Sequence, residues 1–157
     1  MNYDFNFDIH IMVNSPINII KKLNLTNKTT VIVHNECGGV EESVNFLKSL
    51  NIPVGIAFNP ESDISLRYHE IVKKILLMTV IPGFGGQKMI KKCVNKIDVV
   101  KRIYNDNVFV GVDGGVNLKT IHMISKSDFF VVGSEFFRSV DKGSYILDLK
   151  REYYRNK

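Results

Sequence analysis

Between Val80 and Ile90 the chain reads VIPGFGGQKMI, a proline and three glycines set between an apolar run and an amphipathic one. Glycine lacks a Cβ, so successive backbone N–H groups of such a loop can converge on an anion. Two more glycine clusters end apolar runs, Asp113-Gly114-Gly115 and Gly133-Ser134. Any one cluster reads equally well as a tight turn. Three at successive run ends favour a phosphate cradle built from Gly83, Phe84, Gly85 and Gly86, from Gly114 and Gly115, and from Gly133 and Ser134. A helix starting at Lys88 and a short one opening at Gly133-Ser134 would add the unpaired N–H groups of their first turns.

Two titratable residues share these run ends. Asp113 closes the run VFVGV, and His10 lies in FDIHIMV, where alternation puts Asp8, His10 and Met12 on one side. On its own, His10 favours a satisfied core histidine, and an Asp before two glycines can simply make a turn. Met12 and Met78 read as core filler on spacing alone. His34 and Glu36, in VIVHNECGG, also end a run. They divide evenly between lining a mouth and structural or solvated roles. His69 and His122 fall in stretches that read as helical and exposed.

The elements that must position these residues are six short β-branched or apolar runs: FDIHIMV, TTVIVH, VGIAF, ILLMTVI, VFVGV and DFFVVG. Between them lie stretches with helical periodicity. One face of VEESVNFLKSL carries Val40, Val44 and Leu47, and a later face carries Met89, Cys93, Ile97 and Val100. Asn117 is placed to cap a helix with Leu118, Ile121 and Ile124 inward. Such alternation predicts βαβ units around a parallel sheet. The sheet is either open and doubly wound or part of an eight-stranded barrel. In both, ligands bind at the carboxyl ends of the strands, where the glycine clusters fall.

Composition narrows the class. With 157 residues, 45% hydrophobic and 24% charged, the chain reads as one domain over residues 1–157 with a sizeable core. The net charge of +5 comes from scattered lysine pairs and a basic tail. No basic stripe is interleaved with aromatics, so a nucleic-acid partner is not expected. No apolar run is long enough for a membrane span, and the first ten residues do not resemble a signal peptide. A cytoplasmic setting is expected. Cys37 and Cys93 form no metal-spaced cluster and read as reduced structural thiols.

The segments FDIHIMVNSP, LMTVIPGFGGQ, VGVDGGVNLKTI and FVVGSEFF, with VGIAFNPES and HNE between, occur in an order and spacing that resembles the ribulose-phosphate 3-epimerase family. PGFGGQ is specific to that family and near relatives. The resemblance implies an α/β fold, an incomplete (β/α)8 TIM barrel of about six parallel strands matching the family's strands three to eight. It implies interconversion of D-ribulose 5-phosphate and D-xylulose 5-phosphate by metal-assisted proton transfer at C3, with one divalent metal (Zn, Fe or Mn) per site. His10 and Asp113 would be metal ligands and Asp113 also an acid/base. Met12 and Met78 would pack against the enediolate, with the glycine clusters around the phosphate. Ile81 stands where the family usually has a polar residue.

The family's first two strands, with a serine and a His-x-Asp, have no counterpart in the chain. Asp4 and Asp8 lie near the first run without a matching motif. Two functions follow as expectations: an epimerase of ketose phosphates, or a non-catalytic sugar-phosphate-binding module. Either would be a homo-oligomer or would bind a partner completing the barrel.

Overall fold

The computed structural model describes residues 5–105 and 107–157, so Asp4 lies outside the described residues. Six strands form: β1 Phe7–Ile11, β2 Thr29–His34, β3 Val54–Phe58, β4 Val72–Met78, β5 Phe109–Asp113 and β6 Phe129–Val131. All pair in parallel, and their order in the sheet is their order in the chain. A doubly wound sheet needs a reversal of strand order. None occurs here. The sheet is a curled half-barrel.

The curl shows in contacts across the concave face. Lys74 Nζ on β4 sits 2.6 Å from Asp8 Oδ1 on β1. Strands three places apart in a flat sheet would lie about 14 Å apart. The same face carries Ile32, Ala57, Leu76, Met78 and Val80, with Phe129 packed against them. Its residues alternate large with small: Ile32 faces Gly55, and Gly111 lies between Leu76 and Phe129 in register. The Phe129 ring lies over Gly111 so closely that a Cβ there would fall 2.2 Å from it.

The convex face packs against helices α1 Ile17–Ile20, α2 Val40–Ser49, α3 Lys96–Tyr104 and α5 Lys142–Arg155, while the short α4 Ser134–Arg138 follows β6 and packs against α5. Val31, Val33, Ile56, Ile75, Leu77, Val110 and Val112 join Val44, Leu47, Ile97, Val100 and Leu149 in one core. The predicted α2 face of Val40, Val44 and Leu47 is buried. The Tyr153 hydroxyl of α5 donates to the Ser127 carbonyl, tying the last helix to the start of β6. Among the described residues no helix is long and apolar enough to cross a membrane.

Two expected helices differ. The helix expected from Lys88 starts later, with a 3-10 turn at Lys91–Asn95 and α3 from Lys96. The reason is that Ile90 N–H donates to the Thr79 carbonyl at 2.7 Å, holding the chain extended beside the end of β4. Met89 is consequently only half-buried, whereas Cys93, Ile97 and Val100 are buried. After Asn117, only a 3-10 turn forms, at Ile121–Ile124. Ile121 and Ile124 are buried and Leu118 is exposed. Asn117 does take up a local donor, its Oδ1 accepting from Lys119 N–H at 2.8 Å.

Adding a methyl at Gly111 must displace Phe129 from the concave face. Gly111→Ala should lower the urea unfolding midpoint by an amount equivalent to about 1–3 kcal/mol, with the slope unchanged. An unaltered midpoint would show that the ring is not needed where it lies.

Candidate active site

The carboxyl ends of β1, β4, β5 and β6 converge on one cavity of about 240 Å3. Met12, Met78, Gly83, Phe84, Gly85, Gly86, Asp113, Gly114, Gly115, Gly133 and Ser134 all line it. In register, Asp113 faces Met78 on one side and Val131 on the other. His10 is not among the lining residues but reaches Asp113, with Nδ1 3.5 Å from Oδ2. These residues stand on strands four places apart, about 19 Å in a flat sheet. Curvature alone brings them together.

The loop after β4 is pinned from within. Gln87 Nε2 donates to the Ile81 carbonyl at 2.7 Å and to the Phe84 carbonyl at 2.8 Å. Pro82–Gly83 form a turn, and among the described residues the backbone N–H groups of Gly83, Gly85, Gly86 and Gln87 donate to no other backbone carbonyl. Those donors are left for solvent or a ligand, while Phe84 stands 85% exposed at the tip. The glycines after β5 are needed for close approach. Gly114 and Gly115 take φ values of 121° and 66°, and a Cβ on Gly115 would meet Met89 N at 2.4 Å. Thr79, fully buried, fastens this turn to β4: its N–H donates to the Asp113 carbonyl at 2.8 Å and its hydroxyl to the Gly114 carbonyl at 2.6 Å. Its apolar neighbours hid that role in the sequence.

The short helix expected after Gly133 is present as α4, with Gly133 at its N-cap. Ser134 Oγ lies 3.0 Å from where a Gly85 Cβ would be, so the first and third glycine clusters meet. Beside them Arg138 pairs with Glu135 at 3.0 Å.

His34 and Glu36, undecided in the sequence, join the site. His34 Nε2 lies 2.8 Å from His10 Nε2, and His34 Nδ1 lies 3.5 Å from Glu36 Oε2. The four side chains form a row that ends at the main cavity: Glu36, His34, His10, Asp113. A second cavity of about 220 Å3 opens beside it, lined by Met12, His34, Glu36 and Asn59 among others. Burial pushes the Glu36 carboxyl up. Hydrogen bonds from His34, Ser62 and the backbone N–H groups of Asn59 and Glu36 itself outweigh it, bringing it from 4.5 down to about 2. Away from the row, His69 and His122 are exposed, His69 in a turn and not a helix. Cys37 and Cys93 are free, and burial pushes both thiols up.

As donors, His10 and Asp113 suit a divalent transition metal in type. Among the described residues no group of three or more His, Cys, Asp or Glu side chains is arranged to hold a metal ion. Two donors do not complete such a site.

A carboxyl lowered by folding adds stability above its unfolded value, and that stability is lost as pH falls toward its folded value. Glu36→Gln should therefore destabilise the chain above pH 4.5, and the gap from wild type should close as pH falls from 4.5 to about 2. Urea midpoints across this range test it; a gap independent of pH would contradict the hydrogen-bonding assigned to Glu36.

Comparison with known proteins follows the same geometry. The family model described as "Ribulose-phosphate 3 epimerase family" matches residues 1–137. A ribulose-phosphate 3-epimerase of Encephalitozoon cuniculi is 36% identical over 153 residues, covering 98% of this chain and 70% of that protein. One from Buchnera aphidicola is 34% identical, over 85% of this chain and 62% of the relative. One from Bacillus subtilis is 29% identical, over 94% and 72%. The chain thus spans 62% to 72% of the length of these relatives. With a family match over most of its length and a curled parallel sheet that brings the matching motifs to one rim, the chain belongs to the ribulose-phosphate 3-epimerase family.

Proposed function

We propose that the chain acts as an epimerase of ketose phosphates, interconverting D-ribulose 5-phosphate and D-xylulose 5-phosphate by proton transfer at C3. One observation carries the reading: Asp113 and three glycine clusters line a single cavity. The backbone N–H groups of Gly83 to Gly86, Gly114, Gly115, Gly133 and Ser134 would surround the phosphate. Asp113, at the end of β5, would take the proton from C3. Met12 and Met78 would cover the sugar backbone with apolar surface, where a developing negative charge is least screened.

The proton sits α to a carbonyl, and its removal needs the resulting oxyanion stabilised. A bound Zn, Fe or Mn ion supplies that by polarising the carbonyl, and His10 and Asp113 are the residues of this chain that would contribute to holding it. Their number falls short of a full ligand set, so the steps available to the described residues are phosphate binding and proton exchange at Asp113.

A second reading is a sugar-phosphate-binding module without catalysis. Inverting C3 needs an acid on the opposite face to return the proton. The carboxylates lining the main cavity among the described residues are Asp113 and Glu135, and Glu135 is occupied by Arg138 beside the glycine clusters. Strands added at the open edges of β1 and β6, from a partner or a second copy, would be the source of the missing acid.

NMR in heavy water separates the readings. Deuterium should enter C3 of ribulose 5-phosphate, and Asp113→Asn should slow uptake by roughly 100-fold or more while inorganic phosphate still binds. Xylulose 5-phosphate appearing together with the label marks inversion. Phosphate binding without uptake supports the module instead. Gly85→Ala, crowding Ser134, should weaken phosphate binding by roughly tenfold, or about 1.4 kcal/mol; equal affinity in a titration would argue against the cradle.

A further inference from the structure

Charge at the main cavity is out of balance for a phosphate ligand. Asp113 and Glu135 line it, and among the described residues no lysine or arginine does so. A phosphate monoester carries a charge of about −1.5 to −2 near neutral pH. Backbone N–H groups can cradle such an anion, but its charge still faces two carboxylates. The cation placed to answer that charge stands just outside the lining. Arg138 Nη1 lies 3.0 Å from Glu135 Oε1, three residues further along α4.

The rest of the guanidinium lies against the glycine loop. Arg138 Nη2 is 3.1 Å from where a Cβ on Gly86 would stand, and Ser134 Oγ is 3.8 Å from the same point. Gly86 and Ser134 both line the cavity. Among the described residues Nη2 and Nε make no hydrogen bond, so most of the donor fork is unspent. Glu135 holds the group only loosely. The side chains of Arg138 and Glu135 are 66% and 44% exposed, and an ion pair so open to solvent contributes little. A phosphate dianion offers more charge than a carboxylate and suits the same planar fork.

We propose that Arg138 is a phosphate-binding residue, released by Glu135 and taken up by the phosphate group when ligand enters the glycine cradle. Glu135 is the competitor that the anion displaces, and its charge opposes binding. The inference rests on the reading of the glycine clusters as a phosphate site, and adds to that site a cation from outside the cavity lining.

Inorganic phosphate titrated into the whole chain by calorimetry, at low and high ionic strength, tests it. Arg138→Gln should weaken binding by roughly tenfold. Arg138→Lys should fall between that variant and wild type, because it keeps the charge and loses the fork. Added salt should weaken wild-type binding more steeply than that of Arg138→Gln. Glu135→Gln should tighten binding by roughly threefold. A folded Arg138→Gln chain with wild-type affinity and salt response overturns the proposal and leaves the glycine cradle standing. Glu135→Gln binding no more tightly than wild type also overturns it, since Glu135 would then not compete for the arginine. A wild-type chain that binds no phosphate overturns the cradle and this inference with it. If Arg138→Gln does not fold, Arg138→Lys and Glu135→Gln decide in its place.

Discussion

A lysine on β4 reaches an aspartate on β1, and an aspartate on β5 reaches a histidine on β1, only because the parallel sheet bends. Bending requires room on the concave side. Gly55, Ala57 and Gly111 supply it, and Phe129 fills what Gly111 leaves open. The convex side bears the opposite demand: branched aliphatic side chains spread outward and lock into the helices. Concave glycine and alanine against convex valine and isoleucine set the direction of curl. The contacts of β1 with β4 and β5 depend on that direction.

Given the curl, the rim is assembled by local devices. Thr79 fastens the turn after β5 to the end of β4, and Gln87 closes the glycine loop on itself. Neither needs to touch a ligand to matter. Each satisfies polar backbone atoms that would otherwise stay unpaired in a half-buried place, so the rim keeps its shape without a bound partner. The row from Glu36 to Asp113 is a third such device. It crosses from one strand end to another and links side chains far apart in the chain.

What could be read in advance follows from where the information lies. The strands were legible because runs such as TTVIVH and VGIAF combine β-branched side chains with a length that helices rarely have. The glycine clusters were legible because their residue type is itself the signal. The helix expected from Lys88 was not, because its start depends on a hydrogen bond from Ile90 to Thr79 that periodicity does not encode. Leu118 was expected inward on a helical spacing that the chain abandons for a 3-10 turn. His34 and Glu36 stayed undecided for a different reason. Their meaning lies in β1 and β2 pairing in register and in the sheet curling until His10 meets Asp113. Likewise the choice between an open sheet and a barrel rests on strand order, which a list of strands does not contain.

The glycine loop has one more consequence. Its donors are peptide N–H groups, which do not titrate in the range where proteins stay folded, and Arg138 beside it is paired with Glu135. An anion there would meet backbone donors whose charge does not change with pH. The other end of the cavity carries a carboxylate beside His10, with His34 behind it. The cavity thus joins uncharged backbone donors at one end to ionisable side chains at the other, so acidity would act on its two ends differently.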